Sequence, residues 1–486
     1  MTKQKTKETS LVSQQTRQET ATDTAAKADA ATARRTTRER LGAMLGRREE
    51  ALSPRVLRRT LRELKHVLDP SVSEVEGGRR AAAVARWYAG ASAEERRDCW
   101  LLMSEQFTPD ASAIRAAREG YEAALGTPDE ARAEVRLRRA FVSPRTRLLQ
   151  RFGAFPEGMR FLVDLRAELL PHLKSDKRLL ALDAELEGLF STWFDVGFLE
   201  LRRISWDSSA SLVEKLIQYE AVHDIRSWAD VKNRLDEDRR CYGFFHPRLP
   251  GEPLIFVEVA LLTDIAPRIT PLLDELGDAA DLQKATTAIF YSISNTQTGL
   301  KGVSFGDSLI KRVVETLRDE FPRLKTFATL SPIPGLRGWL GKNADRLLAA
   351  TPARTRNALA AAAGLAEGEC HAAALLTALD EQAAQLPEKP EKSPLARWLL
   401  AAAAQYLARE QDAQQRPLDA VARFHLGNGA RVERLNWQGD PSPKGLKQSY
   451  GLMVNYLYDL KRLDKHRALL AQGKVPVSGA VEALLD

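Results

Sequence analysis

Three glycines and a lysine mark the first stretch of this chain able to do chemistry. Gly299, Gly302 and Gly306 surround Lys301, Val303, Ser304 and Phe305, and Asp307 or Ser308 follows where a helix is set to begin. Glycines let a backbone approach a ligand closely, and an aspartate or serine caps a helix whose first N–H groups point back into the loop. Such a place suits a phosphate, although three glycines ahead of a helix also make an ordinary turn. Glu258 stands within the apolar run LIFVEVAL. A carboxylate there requires a partner or solvent. It is either a strand-end or edge residue bonded to a backbone group or an arginine, or a site carboxylate that positions substrate or a catalytic group. Ser331 is held before Pro332, which biases it to an extended backbone. His425, in FHLGNGA, falls near a loop before a strand, and read alone it is a buried, hydrogen-bonded histidine. His246, directly before Pro247, reads as a turn histidine, and His66, His172 and His371 read as surface or packing residues.

The elements that must hold these residues follow from periodicity. Residues 288–294 (AIFYSIS) have the composition of a strand packed on both faces, and Leu309, Ile310, Val313, Val314 and Leu317 make one apolar helix face that ends by Pro322. Residues 325–330 form a short strand stopped by the SPIPG turn. Residues 241–245 and 254–262 read as strands separated by a proline-rich turn. Between 204 and 231, Trp206, Leu212, Leu216, Ile217 and Trp228 read as core. The stretch 431–437 alternates in strand fashion, and Asn428-Gly429 favours a tight turn. The interval 41–194 is helical throughout, with Leu57, Leu61, Leu64 and Leu68 at helical spacing and breaks near 69–70, 76–78, 108–109 and 143–144. Alanine-rich helix returns at 351–415, broken by a solvated, proline-rich connection at 386–394.

Composition limits the alternatives. The 486 residues are too many for one ordinary core. A net charge of +7 fits attraction of a polyanion but equally an ordinary basic protein. Cys99, Cys241 and Cys370 lie far apart with no CxxC spacing, which argues against a disulfide scaffold or zinc site and for a reducing compartment. No run approaches the roughly 18 to 20 apolar residues of a membrane span. Residues 1–40 are polar and expected to be disordered; their arginines are interspersed with acids, against a presequence, and the final Ala-Leu-Leu-Asp is not a peroxisomal address. A cytoplasmic protein is expected. A nucleic-acid binder would place its charge in a patch with stacking aromatics, for which only the basic tail speaks.

Taken together, YSISNTQTGLKGVSFG, FATLSPIPG, FHPRLPGEPLIFVEVAL, FHLGNGARVERLNW and SYGLMVNYLY resemble the malonyl-CoA decarboxylase family. The blocks keep the family's order and span most of the chain beyond residue 200. The resemblance implies an α+β protein: a tail (1–40), an all-helical bundle (41–195) and a catalytic acetyltransferase (GNAT)-like mixed α/β domain with a helical excursion (196–486). It places coenzyme A on the loop of Lys301, Gly302, Val303, Ser304, Phe305, Gly306 and Asp307. It pairs Ser331 with His425 and puts Tyr458 near them. Some members carry an acidic residue where Ser304 stands, so no role for that carboxylate transfers. The implied reaction turns malonyl-CoA into acetyl-CoA and CO2. The thioester carbonyl accepts the electrons as an enolate, so no cofactor or metal is required; an imidazole with an ordinary pKa near 6.5 is an apt proton donor to C2. Malonyl-CoA and acetyl-CoA are the expected partners, with no nucleic acid or membrane, and the family habit implies a homo-oligomer, dimer or tetramer. An acyl-CoA-dependent acyltransferase and a non-catalytic coenzyme A-binding protein are the alternatives.

Overall fold

Serine and aspartate caps, two of them followed by proline, divide the first half of the chain into helices. The computed structural model describes residues 52–303, 309–366 and 370–485. The chain divides into two compact units, Met1–Trp193 with Thr298–Val303, and Phe194–Gln297 with Ser304–Asp486.

In the first unit, α1 (Pro54–Val67), α2 (Glu74–Gly90), α3 (Ala93–Gln106), α4 (Ala111–Ala124), α5 (Glu130–Phe141), α6 (Pro144–Gly153), α7 (Gly158–Leu169) and α8 (Leu180–Trp193) follow one another. Ser53 and Ser143 cap helices that begin with proline, and Ser92 and Glu95 form a reciprocal capping box on α3. Leu57, Leu61 and Leu64 are buried, as their spacing requires, whereas Leu68 falls at the C-cap and is only partly buried, with Val67 buried instead. The break expected at 76–78 is not there: Gly77 and Gly78 lie inside α2 and are buried. A Cβ on Gly77 would come within 3.1 Å of the Arg151 side chain, so these glycines serve close packing rather than chain termination.

The second unit is built on one mixed sheet. Its strands are β1 (Glu200–Ile204), β2 (Arg239–Phe245), β3 (Pro253–Leu262), β4 (Thr287–Asn295), β5 (Thr326–Thr329), β6 (Ser331–Pro332), β7 (Arg431–Asn436) and β8 (Met453–Leu457). The order is β1-β2-β3-β4-β5-β8-β6, with β7 also on β8. Only β4 and β5 run parallel among the described pairs, and the crossover between them carries α11 (Leu309–Glu320). Before it come α9 (Ala210–Tyr219) and α10 (Trp228–Arg234). The apolar face expected for α11 is the one buried: Leu309, Ile310, Val313, Val314 and Leu317. Two core assignments fail, because Trp206 and Trp228 are about half exposed. Trp228 opens a two-turn helix whose buried side is formed by Asp230, Val231 and Arg234.

Between β6 and β7 the helical excursion comprises α12 (Leu336–Ala350), α13 (Ala353–Ala362), α14 (Ala372–Gln382) and α15 (Pro394–Arg409), followed by α16 (Ala420–Gly427). Beyond β7, α17 (Pro443–Ser449) precedes β8, and α18 (Leu463–Ala471) and α19 (Gly479–Glu482) follow it.

Pairing of β4 with β5 covers Thr287–Phe290 only. Leu330 N–H still bonds the Phe290 carbonyl at 3.0 Å, and then Ser331 and Pro332 pair with Val454 and Met453 of β8 instead. The sheet therefore splits between two parallel strands, leaving the end of β4 without a strand partner on that side among the described residues. This is the acetyltransferase-like arrangement that the resemblance implied.

Candidate active site

The split in the sheet sets Ser331. Strand side chains two apart share a face, so Thr329 and Ser331 lie together, and Ser331 Oγ donates to Thr329 Oγ1 at 2.8 Å. Thr329 is itself fixed: its Oγ1 accepts Tyr456 N–H and its carbonyl accepts Asn455 Nδ2.

His425 comes from the other side. It lies in the last turn of α16, next to the short loop before β7, and the cap that follows closes the helix there. Gly429, at φ 86°, lets its N–H reach the Leu426 carbonyl while Ala430 N–H reaches the carbonyl of His425 itself. This pair of bonds closes a helix rather than a hairpin. Asp419 caps the other end of α16. Nε2 of His425 faces Ser331 Oγ at 3.3 Å, and Nδ1 faces the Tyr458 hydroxyl at 2.8 Å. The Tyr456 ring stacks on the imidazole, centroids 4.7 Å apart.

These contacts fix the tautomer. Ser331 Oγ gives its proton to Thr329 and so meets Nε2 as an acceptor, which leaves Nδ1 to accept from the Tyr458 phenol, kept protonated by burial well above its ordinary value. Nε2 then carries the ring proton and donates to Ser331, whose own proton goes to Thr329. The four side chains form one directed chain from Tyr458 to Thr329. Burial also pushes His425 down to about 3, so the ring is neutral at pH 7 and the ordinary value near 6.5 does not apply. Thr329 and Tyr456 escaped the sequence reading, although each stands two residues from a residue already singled out, at strand spacing.

The structure thus brings Ser331, His425 and Tyr458 together. Lys301, Gly302 and Val303 belong to the first unit. There Arg166 Nη1 donates to the carbonyls of Gly299 and Lys301, both at 2.9 Å, and Gly302 takes φ 85°. Ser304, Phe305, Gly306 and Asp307 lie outside the described residues. Glu258 is mid-strand in β3, fully buried and bonded to Arg234 at 2.9 Å. It has the arginine partner but not the edge position, and burial pushes its carboxyl up to about 7. His246 accepts Arg248 N–H in its turn, and His371 caps α14, both as structural residues.

An α+β chain whose mixed sheet splits at a parallel pair has an acetyltransferase-like fold, and here a serine, a histidine and a tyrosine are hydrogen-bonded beside the split. Residues 107–194 match the malonyl-CoA decarboxylase N-terminal domain family and residues 197–486 the C-terminal domain family. The mitochondrial malonyl-CoA decarboxylase of Anser anser anser is 37% identical over 417 residues, 79% of this chain and 78% of that protein. Among solved structures, malonyl-CoA decarboxylase from Agrobacterium vitis is similar at 40% identity and TM-score 0.77, over 88% of this chain and 100% of that one. The Rhodopseudomonas palustris enzyme is similar at 39% identity and TM-score 0.75, over 88% and 99%. The chain belongs to the malonyl-CoA decarboxylase family.

Proposed function

We propose that this chain is a carboxy-lyase that converts malonyl-CoA to acetyl-CoA and CO2. The observation that carries the reading is the Tyr458–His425–Ser331 hydrogen-bond chain, within a family named for the reaction. The bond from C2 to the carboxylate breaks, and its electron pair enters the thioester carbonyl as an enolate. Ser331 turns its hydroxyl from Thr329 and gives the proton to C2, Nε2–H follows to the serine oxygen, Tyr458 O–H follows to Nδ1, and solvent restores the proton. A thioester enolate is a far stronger base than any of these groups, so the transfer runs downhill from a neutral imidazole. The same burial that depresses His425 disfavours a carboxylate beside it and favours its departure as neutral CO2. The substrate's own carbonyl is the electron sink, so the reading needs no cofactor.

Coenzyme A is assigned to the loop of residues 301–307, on the resemblance and on the glycine geometry at Gly302. A cytoplasmic setting is assigned on the three free cysteines; among the described residues no helix is long and apolar enough to cross a membrane. Self-association is assigned to the α4–α5 hairpin, where α4 buries no residue and Phe141 and Val142 are exposed. The test is purified protein given malonyl-CoA as sole reactant. Equal amounts of acetyl-CoA and CO2 are expected. Free coenzyme A, or product only when an acyl acceptor is added, would favour an acyltransferase instead.

A further inference from the structure

We propose that Asp419 is a positioning residue that sets the Ser331–His425 distance, by joining the two chain segments that carry them through a single carboxylate; this rests on the decarboxylase reading above.

The geometry begins with two helix starts. Oδ1 of Asp419 accepts the N–H groups of Val421 and Ala422, at 2.9 and 3.0 Å, and so caps α16, which bears His425 one and a half turns further on. The same carboxylate lies against the backbone of Gly335, where α12 begins: a Cβ built there would stand 3.2 Å from Oδ2. Gly335 has no side chain to cap α12, and the carboxylate that meets its backbone comes from 84 residues away in sequence. Tyr406 of α15 donates its hydroxyl to Oδ2 at 3.3 Å. Asp419 and Tyr406 are both almost wholly buried. Two helix N-termini, each with positive partial charge, thus converge on one anion.

Both arms are stiff. From Gly335 back to Ser331 the chain is IP and SP, with Pro332 and Pro334 restricting their own φ and the backbone before them. From Asp419 to His425 the chain is helix. Holding Gly335 and the start of α16 on the same carboxylate therefore holds the serine hydroxyl and the imidazole at 3.3 Å. The space at Gly335 is closed as well, since a Cβ there would lie 2.1 Å from the Tyr406 hydroxyl and 3.2 Å from Asp419 Oδ2. The carboxylate touches neither Ser331 nor His425, so its role is placement.

Two substitutions separate this from simple helix capping. Asp419→Ser keeps a cap for α16 but withdraws the oxygen from Gly335. Asp419→Asn keeps the size and the cap but turns an amide donor toward the Gly335 N–H. Both are expected to lower kcat by at least about tenfold at little-changed KM, because misplacement on the order of 1 Å is enough to cost that much. Tyr406→Phe, which leaves the Gly335 contact in place, should cost less. The second readout is independent of turnover: with 15N-labelled histidine, His425 in the unmodified protein should show the single Nε2–H tautomer, and in Asp419→Asn a mixture of tautomers. Wild-type kcat in both Asp419 variants, or an unchanged His425 tautomer in Asp419→Asn, overturns the proposal. If the wild-type protein leaves malonyl-CoA intact while Asp419→Asn still shows the tautomer mixture, the decarboxylase reading alone is overturned.

Discussion

Nδ1 of His425 lies 2.8 Å from the phenolic oxygen of Tyr458, and this contact decides which ring nitrogen carries the proton toward Ser331. Without the phenol, Nδ1 is free to take the proton and Nε2 then meets Ser331 as an acceptor. Tyr458→Phe should therefore lower kcat by about 10- to 100-fold, below the full worth of a positioned acid. KM for malonyl-CoA should change little. Steady-state kinetics on the variant checks both.

The pH dependence follows from a neutral imidazole. An imidazolium donor would lose activity as pH rises through about 6.5, whereas a ring held near 3 does not titrate in that range. The kcat/KM profile should show no histidine step between about pH 5 and 8.

Stability carries the opposite face of the same shift. The folded ring binds its proton far less readily than the unfolded one, so its contribution is complete above about pH 6.5 and is lost as pH falls toward 3. The slope across that window is about 1.4 kcal/mol per pH unit for one such group. His223, buried and pushed down to about 4, adds to it. Urea unfolding at pH 7, 6 and 5 should show the decline, and His425→Gln should make it shallower.

In the proposed reaction Ser331 donates the first proton, backed by His425. Ser331→Ala should lower kcat by about 10²- to 10³-fold while leaving coenzyme A affinity within roughly tenfold. Calorimetry with coenzyme A beside a decarboxylation assay separates the two effects.

Of the two described loop glycines, Gly299 has less room than Gly302. A Cβ there would stand 1.9 Å from the Val163 carbonyl oxygen of α7, in backbone rather than a flexible side chain. Gly299→Ala should displace the loop that Arg166 holds and weaken coenzyme A binding by about tenfold or more. Far-ultraviolet circular dichroism should be unchanged. Titration with coenzyme A measures the loss.

Much of this was legible in the chain, and the exceptions have physical causes. Strand and helix periods placed β2, β3, β4 and α11 within one or two residues, because each buries a regular apolar pattern. Ser331 stood out through the prolines around it. The helix holding His425 was hidden because the Asn428-Gly429 pair that closes it also suits a hairpin, and only the carbonyl reached by Ala430 decides between them. Trp206 and Trp228 look like core by type, yet lie at a turn and a helix start that face outward. Asp419 is a plain helix cap in sequence, and its contact with Gly335 is a tertiary fact that no local pattern encodes.

The most direct measurement compares malonyl-CoA turnover by the unmodified protein and by His425→Ala, with coenzyme A affinity measured on both. The account predicts a kcat loss of at least about 100-fold with affinity within roughly tenfold. Normal turnover by His425→Ala would contradict it.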